Sequence, residues 1–118
     1  MRVRFYESLA GRMPVKEFIL GLSDADRSVV NTCIIRIRIS GFDAAGVEFR
    51  YIDGKLREIK IRGADSSYRL FYVTLNGEVM IILHGYKKQS QKAPAKELKI
   101  AKQRMKEVFE NETSYCNS

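Results

Sequence analysis

Hydrophobic and polar positions change period several times along the chain, and each change marks an element. At the start, Val3 and Phe5 alternate with Arg2 and Arg4, the period-two signature of a short half-buried strand. Gly11 and Pro14 interrupt it. Pro14 suits a first helical position, where its missing N–H costs nothing, so a helix is predicted over Pro14 to Leu20, with Gly21 ending it. Ser23 can cap a second helix, and Asp24 and Asp26 complement the dipole of its first turn. Ala25, Val29, Cys33 and Ile37 recur every fourth residue, Val30 and Ile34 widen the stripe, and Ser40-Gly41 is the stop.

From Leu56 the period returns to two. Ile59 and Ile61 face one way and Glu58, Lys60 and Arg62 the other, after a turn at Asp53-Gly54. A loop from Gly63 to Ser67 leads to Tyr68–Thr74, rich in aromatic and branched residues. Asn76-Gly77 then sits between two apolar runs, a strong hairpin signal. Val79 to Leu83 is apolar on both faces and belongs inside the sheet. Lys87 to Lys92 reads as a basic loop. Pro94 opens a last helix with Leu98, Ala101, Met105 and Val108 on one side. The predicted order is β-α-α-β-β-β-α, an α+β fold: a small antiparallel β-meander sheet packed by N-terminal helices and a C-terminal helix. Residues 1–110 are read as one domain and 111–118 as a flexible tail.

Composition narrows the function. The 118 residues carry 21 Lys+Arg against 14 Asp+Glu, a net charge of +7. Residues 47–92 hold nine basic and five acidic side chains, so +4 of that excess lies in the strand-rich middle. Such clustering suits a polyanionic partner, because each neutralised phosphate releases counterions. The longest apolar run has five residues, far below the ~20 of a membrane helix, and the N-terminus lacks the apolar block of a signal peptide. The expectation is a cytoplasmic protein with Cys33 and Cys116 reduced and no membrane partner. One histidine and two cysteines, scattered along the chain, do not make a closed zinc site, so no metal and no cofactor are expected.

Lys60 and Arg62 share a strand face, and Arg69 joins them if the loop register turns it the same way. Tyr68, Tyr72 and Tyr86 offer planes on which bases can stack. A Lys/Arg cluster suits RNA cleavage by the RNA's own 2′-hydroxyl, which needs a proton acceptor, cations for the developing phosphorane charge and a donor for the leaving oxygen. Arg serves only the second need; Lys serves any of them once its pKa is depressed. His84, at the end of an apolar strand, is read either as a packed imidazole or as a proton carrier. The competing reading of the cations is a solvated surface neutralised by Glu58 and Asp65.

Three linked motifs carry a resemblance. Leu56-Arg57-Glu58-Ile59-Lys60-Ile61-Arg62, then Tyr68-Arg69-Leu70-Phe71-Tyr72, then His84-Gly85-Tyr86-Lys87-Lys88-Gln89-Ser90-Gln91-Lys92-Ala93-Pro94 resemble the phage-derived, HigB-like branch of the RelE toxin superfamily. In the third motif Tyr86 stands where the family typically has Phe, Gln89 where it has Lys, and Ala93 where it has Thr. The resemblance implies the toxin of a type II toxin–antitoxin pair: a ribosome-dependent, metal-independent mRNA endoribonuclease, silenced by a cognate antitoxin of helix-turn-helix type. It further implies Lys60 and Arg69 as basic catalytic positions and Lys88 as a further one. Proton transfer is left among Lys60, Lys88 and His84. Arg57, Arg62, Tyr68, Tyr86, Lys87 and Lys92 would hold messenger or ribosomal RNA. The alternatives are a non-catalytic RNA- or ribosome-binding module of the same fold and a plain interaction protein whose basic face meets an acidic partner.

Overall fold

The computed structural model describes residues 1–89 and 94–116. In chain order the elements are β1 (Arg2–Phe5), α1 (Pro14–Leu20), α2 (Asp24–Ser40), a 3₁₀ turn (Gly41–Asp43), β2 (Glu48–Asp53), β3 (Leu56–Arg62), β4 (Ser67–Leu75), β5 (Val79–Lys88), α3 (Ala95–Glu110) and α4 (Glu112–Cys116). One five-stranded sheet runs β1-β5-β4-β3-β2, with β1 parallel to β5 and every other pair antiparallel. The α+β fold and its helix-packed meander follow the sequence pattern.

Local signals work as their chemistry predicts. Ser23 Oγ accepts from the Asp26 N–H at 3.2 Å, and Pro14 opens α1. Asn76 and Gly77 both take positive φ, 53° and 67°, and the Glu78 N–H closes the turn on the Leu75 carbonyl at 3.0 Å.

The sheet is buried on both faces. On one, Val15 and Ile19 of α1 and Val30, Ile34 and Ile37 of α2 pack on Ile59, Ile61, Leu70, Tyr72, Met80 and Ile82. On the other, Ala101 and Val108 of α3 and Tyr115 of α4 pack on Leu56, Phe71, Val73, Val79, Ile81 and Leu83. The two-faced apolar run of β5 is thus explained by its place between β1 and β4, with helices above and below.

Three elements depart from the sequence reading: β5 runs on through Lys87 and Lys88, which the sequence places in a loop, because β4 pairs with them. Strand β2 was not expected, although Phe49 and Tyr51 alternate with Glu48 and Arg50; it is an edge strand, so its burial signal is weak. Residues 112–116, read as part of a flexible tail, form α4. Tyr115 is buried there, its hydroxyl accepts from the Glu7 N–H at 3.0 Å, and Arg4 donates to its carbonyl at 3.2 Å. Among the described residues no helix is long and apolar enough to cross a membrane.

A candidate phosphate-handling site on the sheet

Strand register decides which side chains meet. Between β3 and β4, Lys60 lies directly opposite Arg69 and Arg62 opposite Ser67; between β4 and β5, Arg69 lies opposite Tyr86 and Ser67 opposite Lys88. Glu48 of β2 stands across from Lys60. Directly opposed residues share a face. One row therefore reads Glu48–Lys60–Arg69–Tyr86, the next Arg62–Ser67–Lys88, and a third, on the other flank, Arg50–Glu58–Phe71–His84. All three lie on the face that α3 covers farther along the strands.

The charges in these rows are arranged, not scattered. Lys60 Nζ is 3.0 Å from Glu48 Oε2 with the lysine about one-third exposed. Glu58 is 2% exposed and sits between two guanidiniums: Arg69 Nε at 3.6 Å and Arg50 Nη1 at 3.7 Å from its Oε1. It is not the solvated neutraliser that the sequence suggested, but an internal counterion. Arg69 is nearly buried, donates Nη1 to the Tyr68 carbonyl at 3.1 Å, and leaves Nε without a hydrogen-bond partner among the described residues. The Tyr86 hydroxyl, directly across from it, is buried and equally unpartnered. Leaving a buried donor unmade costs ~1–3 kcal/mol; Glu58 offsets this in part for Arg69 Nε, whereas the Tyr86 hydroxyl, in a row of cations, suits an anionic oxygen.

Titration behaviour follows from this crowding. Burial pushes Tyr86 up to about 12, and the charge of Glu58 adds to the rise, so the phenol keeps its proton at neutral pH. Burial lowers Lys88, and the positive charges of Arg69, Arg50 and Lys60 lower it further against the opposing pull of Glu58. Glu48 is held below the usual carboxylate range by its hydrogen bond to Lys60 and by that ammonium's charge.

The other sequence candidates are distributed differently. His84 is on the same face, its ring near-parallel to those of Phe71 and Tyr86, with centroids 6.5 and 6.3 Å away. Its Nδ1 is 3.2 Å from Arg104 Nη1 and its Nε2 is 3.2 Å from Glu97 Oε2. Arginine can only donate, so Nδ1 accepts and the neutral ring donates from Nε2. Burial depresses its pKa, which keeps it neutral. Both nitrogens are thus engaged in tying β5 to α3, and the packed reading fits better than the proton-carrier one.

Tyr68 does not offer a stacking plane. It points to the opposite face, is buried, and its hydroxyl donates to Asp26, while Phe18 meets its ring edge-on at 6.1 Å. Tyr86 is likewise too buried for its ring to stack on a base, though its hydroxyl faces the cationic row. Arg57, opposite Tyr72, and Lys87, opposite Tyr68, lie on the other face. Lys92 lies outside the described residues. Sequence reasoning missed Arg50 because it missed β2, and the alternation ahead of Asp53-Gly54 was the available signal.

Comparison with known proteins identifies the family. The family model described as Phage derived protein Gp49-like (DUF891) matches residues 17–106, a span that takes in the end of α1, all of α2, strands β2 to β5 and most of α3. No curated protein matches the chain. Matched over most of its length, the chain belongs to this Gp49-like family of phage-derived proteins, a toxin-like family related to the RelE-type toxins.

Proposed function

We propose that the protein is the toxin of a type II toxin–antitoxin system, a ribosome-dependent mRNA endoribonuclease that cuts by 2′-hydroxyl attack without a metal. The observation that carries this reading is the cross-strand pairing of Lys60 with Arg69, with the unpartnered Tyr86 hydroxyl in the same row. The Arg69 guanidinium and the Lys60 ammonium hold the non-bridging oxygens as charge builds on the phosphorane. Lys88, whose pKa is lowered by burial and neighbouring cations, takes the 2′-hydroxyl proton in its neutral form. The 2′-oxygen bonds to phosphorus, the bond to the 5′-oxygen breaks, and that oxygen collects a proton from the Tyr86 phenol. The products are a 2′,3′-cyclic phosphate and a 5′-hydroxyl, and proton return from Lys88 to Tyr86 through solvent resets the site. Glu58 holds Arg69 and Arg50 in place. Arg62, flanking Lys60 on the exposed end of β3, grips adjoining phosphate. The cognate antitoxin, of helix-turn-helix type, would silence this face or the access of the ribosome to it.

Expression of the protein should arrest growth, and Lys60→Ala together with Lys88→Ala should relieve the arrest while leaving the circular dichroism unchanged. Both lysines are partly exposed, so the fold tolerates the loss. A folded double variant as toxic as the parent would remove these residues from the chemistry. Growth arrest without new RNA ends would instead favour a non-catalytic ribosome-binding module.

A further inference from the structure

A second feature lies at the outer edge of the sheet, beyond the catalytic rows. Phe42 of the 3₁₀ turn, Tyr51 of β2, Tyr72 of β4 and the cations Arg50, Lys55 and Arg57 line a groove of about 520 Å³, within the usual size of small-ligand sites. No carboxylate lines it among the described residues. Its aromatic rings are set in place. Phe42 packs edge-on to Phe49 at 5.1 Å and lies tilted to Tyr72 at 6.3 Å. The Tyr51 hydroxyl accepts from the Gly54 N–H at 2.9 Å, and the Arg57 guanidinium lies over its ring at 4.6 Å. Arg57 is itself fixed by donating to the Gly54 carbonyl at 2.7 Å. Even so, Tyr51 is 63% and Phe42 50% exposed, an unusual display of large rings on a surface.

Held aromatic faces flanked by cations are the chemistry that receives single-stranded nucleic acid: bases stack, phosphates meet the charges. Arg50 gives the groove its direction. It belongs to the row face, where it pairs with Glu58, the counterion of Arg69, and from the edge strand β2 it also reaches the groove on the opposite face, so a strand passing over that edge meets both.

We propose that this groove binds a nucleotide of single-stranded RNA flanking the cleaved phosphate, its base stacked on Tyr51 or Phe42 and its phosphates on Lys55 and Arg57. The inference rests on RNA being the substrate of the neighbouring rows, but it concerns binding and not cleavage.

The test measures binding of a short fluorescent single-stranded RNA by the full chain carrying Lys60→Ala and Lys88→Ala, with each groove change added to that background. Tyr51→Leu should weaken binding about tenfold or more, the usual range for one lost stack. Tyr51→Phe keeps the ring and should bind within about twofold of the background protein. Lys55→Gln with Arg57→Gln should flatten the logarithmic salt dependence by about 1.4, since each phosphate contact to a single strand contributes ~0.7. Unchanged affinity in Tyr51→Leu, or an unchanged salt slope in the charge variant, would overturn the proposal while leaving the catalytic reading intact. Binding lost as predicted in a protein that never cuts RNA would sustain the groove and sink the catalysis. Absence of RNA binding by the background protein, or equal competition by an acidic peptide, would overturn the groove as an RNA site.

Discussion

Arg69 is more deeply committed to the fold than a solvated catalytic arginine would be. Truncation to Ala leaves Glu58, 2% exposed, with Arg50 as its remaining cationic partner at 3.7 Å. Breaking a buried ion pair by removing one member costs ~3–5 kcal/mol because the other charge stays buried. Arg50 offsets part of this, but its side chain is half exposed and such pairs yield at most ~1 kcal/mol. Arg69→Ala should therefore destabilise by about 2–4 kcal/mol. With a urea slope of ~1–3 kcal/mol/M for a small domain, the unfolding midpoint falls by about 0.7–4 M. The decisive comparison adds Glu58→Gln. The amide has nearly the shape of the carboxylate and no charge to strand, so the double variant should be more stable than Arg69→Ala alone, with a coupling of ~1–3 kcal/mol. Strictly additive losses, or an Arg69→Ala midpoint within ~0.3 M of the parent, would refute the internal-counterion account. The same result governs functional work: loss of toxicity in Arg69→Ala alone mixes unfolding with chemistry. Arg69→Lys, which keeps the charge but not the planar fork, separates them.

Other substitutions test other joints of the structure. A Cβ at Gly85 would lie 2.8 Å from Leu70 Cδ2 and 2.9 Å from Phe18 Cδ2, so Gly85→Ala should cost ~1–3 kcal/mol by thermal unfolding. Shortening the ring with Phe18→Leu should recover part of that loss. Tyr68→Phe removes a donor from the buried Asp26 carboxylate and should cost ~1–3 kcal/mol in urea, yet leave RNA affinity unchanged, since the ring is buried against α1 and α2 and lines neither the charged rows nor the groove. His84 titrates lower folded than unfolded, so the unfolded chain binds more protons once the pH drops below about 6.5. Stability should then fall by up to ~1.4 kcal/mol per pH unit until the folded value is passed. Urea midpoints at pH 7.5 and 5.5 should show this slope in the parent and not in His84→Asn.

How much of this was legible follows from which interactions are local. The face shared by Lys60 and Arg62 needs only strand alternation, and Ile59 and Ile61, 0% and 2% exposed, confirm it. Whether Arg69 joins that face depends on the loop register. That register is fixed when Asp26, on α2, accepts from the Asp65 N–H at 3.1 Å and from the Tyr68 hydroxyl. A contact spanning some forty residues leaves no local pattern. The same holds for Glu58, whose burial depends on Arg50 from a strand that reads as loop. His84 sits beside a β-bulge, where the partner of Phe71 is His84 but that of Tyr72 is Ile82, leaving Leu83 unpaired. Past that bulge simple alternation no longer tells which face a residue occupies.

In the proposed catalysis the Lys60–Arg69–Tyr86 row and Lys88 cut RNA by turning its own 2′-hydroxyl on the adjacent phosphate. Message recovered from expressing cells, mapped at its new ends and tested for ligation chemistry, addresses this most directly. Cuts bearing a 5′-hydroxyl and a 2′,3′-cyclic phosphate are expected, absent when Lys60→Ala and Lys88→Ala are combined. New ends bearing 5′-phosphates, or the same cuts made by that double variant, would contradict it.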